Sequence, residues 1–385
     1  ELDLPHLAME EPAFAADPFP HFDAARAAHP WLATSSFGFV VTEYKAVREL
    51  LAMEASMRTP YGEMVEMMGA KGTPWGRFQE AHILARTGPE HKRLRDILAP
   101  AFTPRQANLH RPLMREVIAK LLDEWAPKGA FDFEEFASWF PVTVMCKLIG
   151  ASPEAIPGLR ASMDALALSV SMDPRYLPEL QKATVELDHF AHQLIAGRER
   201  RGASGGAPDL LDLLLEAKAR GGMSVREIAD LLIFFIVAGF DTSKNILTLA
   251  MHELVQRPEL YQRCADDFAF CGKVIDETMR FHSVTTTNRL LTGAIEYRGI
   301  HMPAGTILWF PWSVIARDPA VAEDAGAFRP DREQKHPHLG FALPAPWYLA
   351  RIVTPKGELA GATSPGFPAV ILGHNARIAW GITSS

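Results

Sequence analysis

Three groups of residues have types and spacings that could do chemistry. The first is Ala238-Gly239-Phe240-Asp241-Thr242-Ser243, an acid and two hydroxyls beside a glycine in the middle of a long apolar stretch. Gly costs about 1 kcal/mol against Ala inside a helix, and a buried carboxylate costs several kcal/mol unless it is paired or neutralised. Breaches of local rules of this kind concentrate where function sits. The plainer alternative is a Thr242 that bonds back to the carbonyl four residues earlier and bends the helix. The second group is His91 and Arg95, four apart after Pro89-Glu90. Two cationic donors on one helix face can take a pair of carboxylates; with Lys92 and Arg93 beside them, a solvated basic face is an equal alternative. The third is Glu277 and Arg280, whose i, i+3 spacing lets them pair. Alone, that spacing describes a surface salt bridge worth under about 1 kcal/mol.

One element must position the first group. Ser224 and Glu227 have the spacing of a capping box, an apolar run from Ile228 to Phe240 is broken only by Asp230, and Pro258 stops the pattern. A helix over 224–256 is roughly 45–50 Å long, and its nearly all-round apolarity through 231–237 predicts burial on every side. Elsewhere the patterns predict a helix from Phe22 to Ala28, a strand from Phe37 to Thr42, a helix from Glu43 to Leu51 and a helix from Phe268 to Phe281. Helices dominate from His91 to Gln256, with a surface linker at 202–206. Weak periodicity and many Gly and Met over 55–85 predict a long irregular loop, and 295–310 predicts a hairpin turning at Pro303-Ala304-Gly305. The fold class is mainly α with small β-sheets, without internal repeats.

The bulk composition bounds the partners. The chain has 385 residues and a formal net charge of −7 from 39 basic and 46 acidic residues, which favours neither nucleic acid nor an anionic membrane. Its cysteines, Cys146, Cys264 and Cys271, show no metal-ligand spacing, and their odd number argues for a reducing compartment. No basic flank precedes an apolar core at the start, so no signal peptide is expected. No uninterrupted apolar run reaches membrane-spanning length. A cytoplasmic protein is expected.

In order along the chain stand Arg95-Asp96-Ile97-Leu98, Ala101-Phe102-Thr103-Pro104-Arg105, Ala238-Gly239-x-Asp241-Thr242, Glu277-x-x-Arg280, Arg289, Ile300-x-x-Pro303-Ala304-Gly305-Thr306, Ala316-Arg317-Asp318-Pro319 and Phe328-Arg329-Pro330-Asp331-Arg332. This ordered set resembles a bacterial cytochrome P-450, the haem-thiolate monooxygenase family, over about residues 10–336. The resemblance implies a haem cofactor with its iron, and insertion of one oxygen atom of dioxygen into a lipophilic small molecule. It implies a ferredoxin-type electron donor, docking near Lys92, Arg93 and Arg105. It places His91, Arg95 and Arg289 on the haem propionates, and Ala238 and Gly239 over the distal face, where the helix opens for dioxygen. There Gly239 leaves room for the oxygen, Asp241 and Thr242 deliver protons, and Glu277, Arg280 and Arg332 form structural ion pairs on the proximal side. Residues 55–85, the helix near 165–170, Phe235 and 285–287 are implied to line an apolar substrate pocket.

The resemblance stops before the family's cysteine ligand loop. Read without gaps, the motif G-x-G-x-H-x-C-x-G falls on Ala342, Pro344, Pro346, Tyr348 and Ala350, and no cysteine follows Cys271. A Tyr348 phenolate is the alternative ligand. The tail carries Leu343-Pro344-Ala345-Pro346-Trp347-Tyr348, Gly361-Ala362-Thr363-Ser364-Pro365-Gly366-Phe367-Pro368 and Gly373-His374-Asn375-Ala376-Arg377-Ile378-Ala379-Trp380-Gly381. It resembles a fragment of the penicillin acylase family of N-terminal-nucleophile hydrolases over 337–385. The domain reading is a P-450-like body, 1–336, and a short β-rich tail, 337–385, from fusion or recombination. His374 is expected to be a structural strand residue, and the tail to lack sheet partners of its own. Three functional readings follow: an oxidoreductase impaired by the missing cysteine, a non-catalytic haem- or ligand-binding scaffold, and an amide-hydrolase fragment.

Overall fold

The computed structural model describes residues 3–202, 208–333, 348–354, 357–363, 372–374 and 379–380. The predicted linker at 202–206 lies, beyond Gly202, outside them. The central helix runs Val225–Val255, with Ser224 as N-cap and both arms of the capping box formed. It is flanked by the helices Phe133–Leu148, Ile156–Ala167, Leu177–Arg201 and Phe268–Phe281. Its first three turns sink into the main core, where Ile228, Leu232, Ile233 and Ile236 meet Val142, Leu187 and Leu214 from its neighbours. By length and composition this helix could span a bilayer, since its best window has a hydropathy of 1.4. Polar residues divide the stretch, so no uninterrupted apolar run marks it in the sequence. A core helix of a globular protein passes the same test, and this one is packed among others.

Burial on every side does not hold along the whole helix. Asp230 and Ile236 are buried, but from Val237 to Leu249 most positions are half-exposed, and Ala238 is exposed. One side of the second half is therefore open, while Phe240, Ile246, Ala250, Glu253 and Leu254 stay buried on the other.

A five-stranded sheet lies beside the helical body in the order Leu32–Ser35, Gly38–Val41, Ile307–Phe310, Thr287–Leu291, Met57–Arg58. Gly38–Val41 and Ile307–Phe310 run parallel, and the other pairs are antiparallel. Trp31, Leu32, Tyr297, Met302, Phe310 and Trp312 build a second core around it.

Two sequence expectations need correcting. The hairpin turns at Arg298-Gly299, joining Ile295–Tyr297 to Ile300–Met302. Both turn residues have positive φ, 51° and 77°, the requirement of a two-residue type I′ turn. The Pro303-Ala304-Gly305 turn instead feeds the next strand into the larger sheet. The predicted loop at 55–85 contains the helices Tyr61–Met67 and Pro74–Ala81. The second starts where Thr73 accepts from the Gly76 amide with Pro74 in the first turn, and it is anchored by burying Trp75 and Phe78. Burial of single aromatics, rather than a periodic stripe, holds these short helices.

In the tail, the backbone strands Tyr348–Thr354, Gly357–Thr363, Leu372–His374 and Ala379–Trp380 pair antiparallel into their own four-stranded sheet. The expectation that the tail has no sheet partners of its own is thus overturned. His374 lies on a strand, paired with Ala379 and Ala360.

Candidate active site

The acid that breaks the apolar run, Asp230, is the one that is buried and paired. Its carboxylate accepts from Arg77 at 3.1 Å and from Arg226 at 2.7 Å, and Arg226 also reaches Asp188. Asp241 lies eleven residues on, half-exposed, and makes no side-chain hydrogen bond or ion pair among the described residues. The desolvation argument applied at sequence level to Asp241 therefore belongs to Asp230.

The helix does not open at Ala238-Gly239; it stays α-helical from Val225 to Val255. The Thr242 hydroxyl donates to the Ala238 carbonyl at 2.7 Å, the back-bond that a helical threonine favours. Gly239 answers to packing: a Cβ there would stand 2.9 Å from Met145 Sδ and 3.0 Å from its Cγ, on the Phe133–Leu148 helix. The residue that stands free on the open face is Ala238.

The three expected cations are linked through Glu54, which acts on both His91 and Arg289. His91 and Arg95 sit on the helix Gly88–Leu98, and Arg289 on the strand Thr287–Leu291. Burial lowers the His91 pKa, the charge of Arg95 lowers it further, and Glu54 opposes both. Burial likewise lowers that of Arg289, against the pull of Glu54 and Tyr61. Arg289 is 6% exposed. Its one side-chain bond among the described residues runs from Nη1 to the Asn288 carbonyl at 2.8 Å, and neither it nor Arg95 has an acid within ion-pair distance there. A buried guanidinium without a carboxylate is costly, so Arg289 is a candidate to receive an anion. The other cations of that helix are committed elsewhere. Lys92 pairs with Asp96 at 2.6 Å, and Arg93 donates to the Gly222 carbonyl at 2.5 Å and to Glu227. Arg105 is exposed.

Sequence reading did not find Glu54, Tyr61 or Met145. Tyr61, whose hydroxyl pKa is pushed up to about 12 by burial, interacts electrostatically with Arg289. Nothing in its local sequence marks it. Phe235 is buried as expected and packs on the exposed Phe102, ring centroids 5.3 Å apart. The hydroxyls at 286–287 do not line a pocket freely: Thr286 donates to the Phe310 carbonyl, and Thr287 accepts from Trp312 Nε1, both at 3.2 Å.

Glu277 and Arg280 are not a surface pair. Their side chains are 1% and 4% exposed, with Arg280 Nε and Nη2 each 2.7 Å from the carboxylate. Arg332 Nε joins at 3.1 Å and the Arg329 amide at 2.7 Å. The remaining Arg280 donors go to the carbonyls of Ala316, Ala325 and Ala327. Every charge in the set is paired or hydrogen-bonded, as a buried cluster requires. Among the described residues no group of His, Cys, Asp and Glu could hold a metal ion. Of the expected ligand-loop positions, Ala342, Pro344 and Pro346 lie outside the described residues, while Tyr348 and Ala350 fall on the first tail strand.

The chain is a helical body around one long helix, with small sheets beside it and three cations grouped near Glu54. The family model for cytochrome P450 matches residues 161–336, and that for penicillin amidase matches 335–385. Luteothin monooxygenase of Streptomyces thioluteus is 28% identical over 344 residues, covering 88% of this chain and 83% of the relative. The biotin biosynthesis cytochrome P450 of Bacillus subtilis is 25% identical over 337 residues, covering 85% and 83%. The solved structure of P450BioI with hexadec-9Z-enoic acid ligated acyl carrier protein superposes with a TM-score of 0.76 at 24% identity, covering 86% of this chain and 85% of that one. Over most of its length the chain is thus similar to cytochrome P450 monooxygenases, a family whose cofactor is haem.

Proposed function

We propose that the body, residues 1–336, is built to insert one oxygen atom of dioxygen into a lipophilic small molecule, with electrons from a ferredoxin-type donor. In this chain that chemistry is impaired, because no cysteine follows Cys271 to ligate the iron. The observation that carries the reading is Arg289, a buried guanidinium with no carboxylate partner among the described residues, grouped electrostatically with His91 and Arg95. These three cations would hold the haem carboxylates. Haem, when bound there, would supply the redox-active iron for oxygen chemistry. Ala238 leaves space on the open side, and Asp241, without a side-chain partner among the described residues, can pass a proton from solvent toward Thr242. The Thr242 hydroxyl, held on the Ala238 carbonyl at 2.7 Å, has a fixed resting position from which it can turn toward substrate. The buried Phe235, with Phe102 packed on its outer side, offers an apolar surface to a lipophilic substrate. Tail residues 337–385 are a separate piece, acylase-like in sequence, and take no part in the site. Three free cysteines support a cytoplasmic setting.

The test is a carbon monoxide difference spectrum of the reduced, haem-loaded chain. A spectrum lacking the thiolate-type band, with haem uptake weakened by Arg289→Ala, is expected. A thiolate-type band overturns the claim of impairment, and uptake indifferent to Arg289 overturns its assignment to the haem carboxylates. Binding without turnover identifies a haem-holding scaffold, and release of product from a chromogenic amide identifies a hydrolase. A gene read across 333–343 tests the division of the chain: continuation into G-x-H-x-C removes the tail.

A further inference from the structure

The helices Pro258–Asp266 and Phe268–Phe281 meet at one residue, Asp267, whose carboxylate caps the second helix by accepting from the Ala269 amide at 2.9 Å. The extended backbone of Asp267, φ −131° and ψ 99°, turns the chain sharply. That corner brings the last turn of one helix against the first turn of the next and sets Cys264 beside Cys271. The Cys271 thiol donates to the Cys264 carbonyl, Sγ to O 3.4 Å. A carbonyl oxygen lies about 2.4 Å from its own Cα by standard bond lengths, so the Cys271 sulfur stands within about 6 Å of the Cys264 Cα. Both cysteines are partly exposed, whereas Cys146 is buried.

We propose that Cys264 and Cys271 form a redox modification site, closing an intrachain disulfide on reaction with a low-molecular-weight disulfide such as oxidised glutathione. One thiolate attacks a sulfur of the small disulfide, giving a mixed disulfide and releasing one small thiol. The second cysteine then attacks the protein sulfur and releases the other small thiol. The protein loses two hydrogens and two electrons, and the small disulfide gains both. Capture is favoured because the helix corner already sets the two cysteines side by side. Burial and the neighbouring thiol push the Cys264 thiol up to about 11, which slows exchange at neutral pH without changing which pair closes.

The bridge would touch more than the two helices. Arg263, next to Cys264, pairs with Asp331, and Lys273, two residues past Cys271, approaches the same carboxylate at 3.6 Å. Asp331 adjoins Arg332 of the Glu277 cluster. Oxidation therefore fixes the two cations that hold the last described stretch of the body.

The experiment treats the folded full-length chain with oxidised glutathione, then blocks free thiols and maps peptides by mass spectrometry without reduction. The expected result is a Cys264–Cys271 cross-link, a chain lighter by two hydrogens, and reversal by dithiothreitol. Cys146→Ser should leave the cross-link intact. Cys264→Ser and Cys271→Ser should each stop at a glutathione mixed disulfide on the remaining cysteine. A stable mixed disulfide in the unaltered chain, bridging only after addition of urea, or bridges to Cys146 or between chains would each overturn the proposal.

Discussion

Substituting Glu277 by Gln tests whether the body depends on a buried charge cluster. The carboxylate is 1% exposed and accepts from Arg280 twice, from the Arg329 amide and from Arg332. Gln has nearly the same shape, but it removes the negative charge and turns an NH₂ toward guanidinium donors. Two cations then share the site with no anion. Removing one partner from a buried ion pair costs about 3–5 kcal/mol, whereas an exposed pair is worth under about 1 kcal/mol. At roughly 2–4 °C per kcal/mol for a large domain, Tm should fall by about 10 °C. Thermal melts followed by far-UV circular dichroism, with urea melts to check that the slope is unchanged, give both values. Lys120→Ala, which breaks an exposed helical pair with Glu116, serves as control and should change stability by no more than about 0.5 kcal/mol. If Glu277→Gln and Lys120→Ala melt within about 2 °C of each other, the cluster is no better than a surface bridge and the reasoning fails.

Three further outcomes are expected. Arg289→Leu replaces a buried guanidinium lacking a carboxylate, so it should stabilise the haem-free chain by about 1–4 kcal/mol while weakening hemin uptake in an absorbance titration; a less stable haem-free variant would refute this role for Arg289. Gly239→Ala should show its helix-propensity gain of about 1 kcal/mol only when Met145 is also Ala, since the new methyl otherwise meets Met145 Sδ; additive effects in the double-mutant cycle would contradict this. His82 is packed against Tyr61, Phe78 and Phe234, and burial lowers its pKa from 6.5 to about 4. Above pH 6.5 both the folded and unfolded states are neutral at this position. As pH falls from 6.5 toward 4 only the unfolded chain takes the proton, so stability is lost at up to about 1.4 kcal/mol per pH unit. His82→Phe should flatten that window by about one proton in pH-dependent urea melts, and an unchanged slope would sink the assignment.

Where local chemistry decides structure, the sequence was readable. Ser224 and Glu227 mark the start of the central helix because a capping box satisfies orphan amides within one turn, and both its arms form. The sequence offered two turn signals near residue 300 and could not rank them. Pro-Ala-Gly is the more conspicuous, yet Arg298-Gly299 makes the hairpin because its twist matches the strands it joins. Short helices between 61 and 81 were hidden because Trp75 and Phe78 fold inward singly, with no repeating stripe. At the site, charge types were legible and environments were not. Asp230 and Asp241 look alike in an apolar run, and only the partners Arg77 and Arg226, one of them 153 residues away, decide which is buried. Met145 could not be foreseen as the reason for Gly239, because close approach of two helices leaves no mark in either segment.

The Asp230 ion pairs also act as an angular key. An α-helix advances 100° per residue, so Asp241, eleven residues after Asp230, lies only about 20° round the barrel from it and about 16 Å further along. Arg77, and Asp188 of the neighbouring helix through Arg226, grip one end of this unbroken rod, and the acid–hydroxyl pair rides near its midpoint. A 20° slip at the gripped end would swing a side-chain atom about 5 Å off axis through nearly 2 Å. Displacements of that order cost catalytic geometry dearly. The keyed end, three turns away, thus indexes where Asp241 and Thr242 point without touching either.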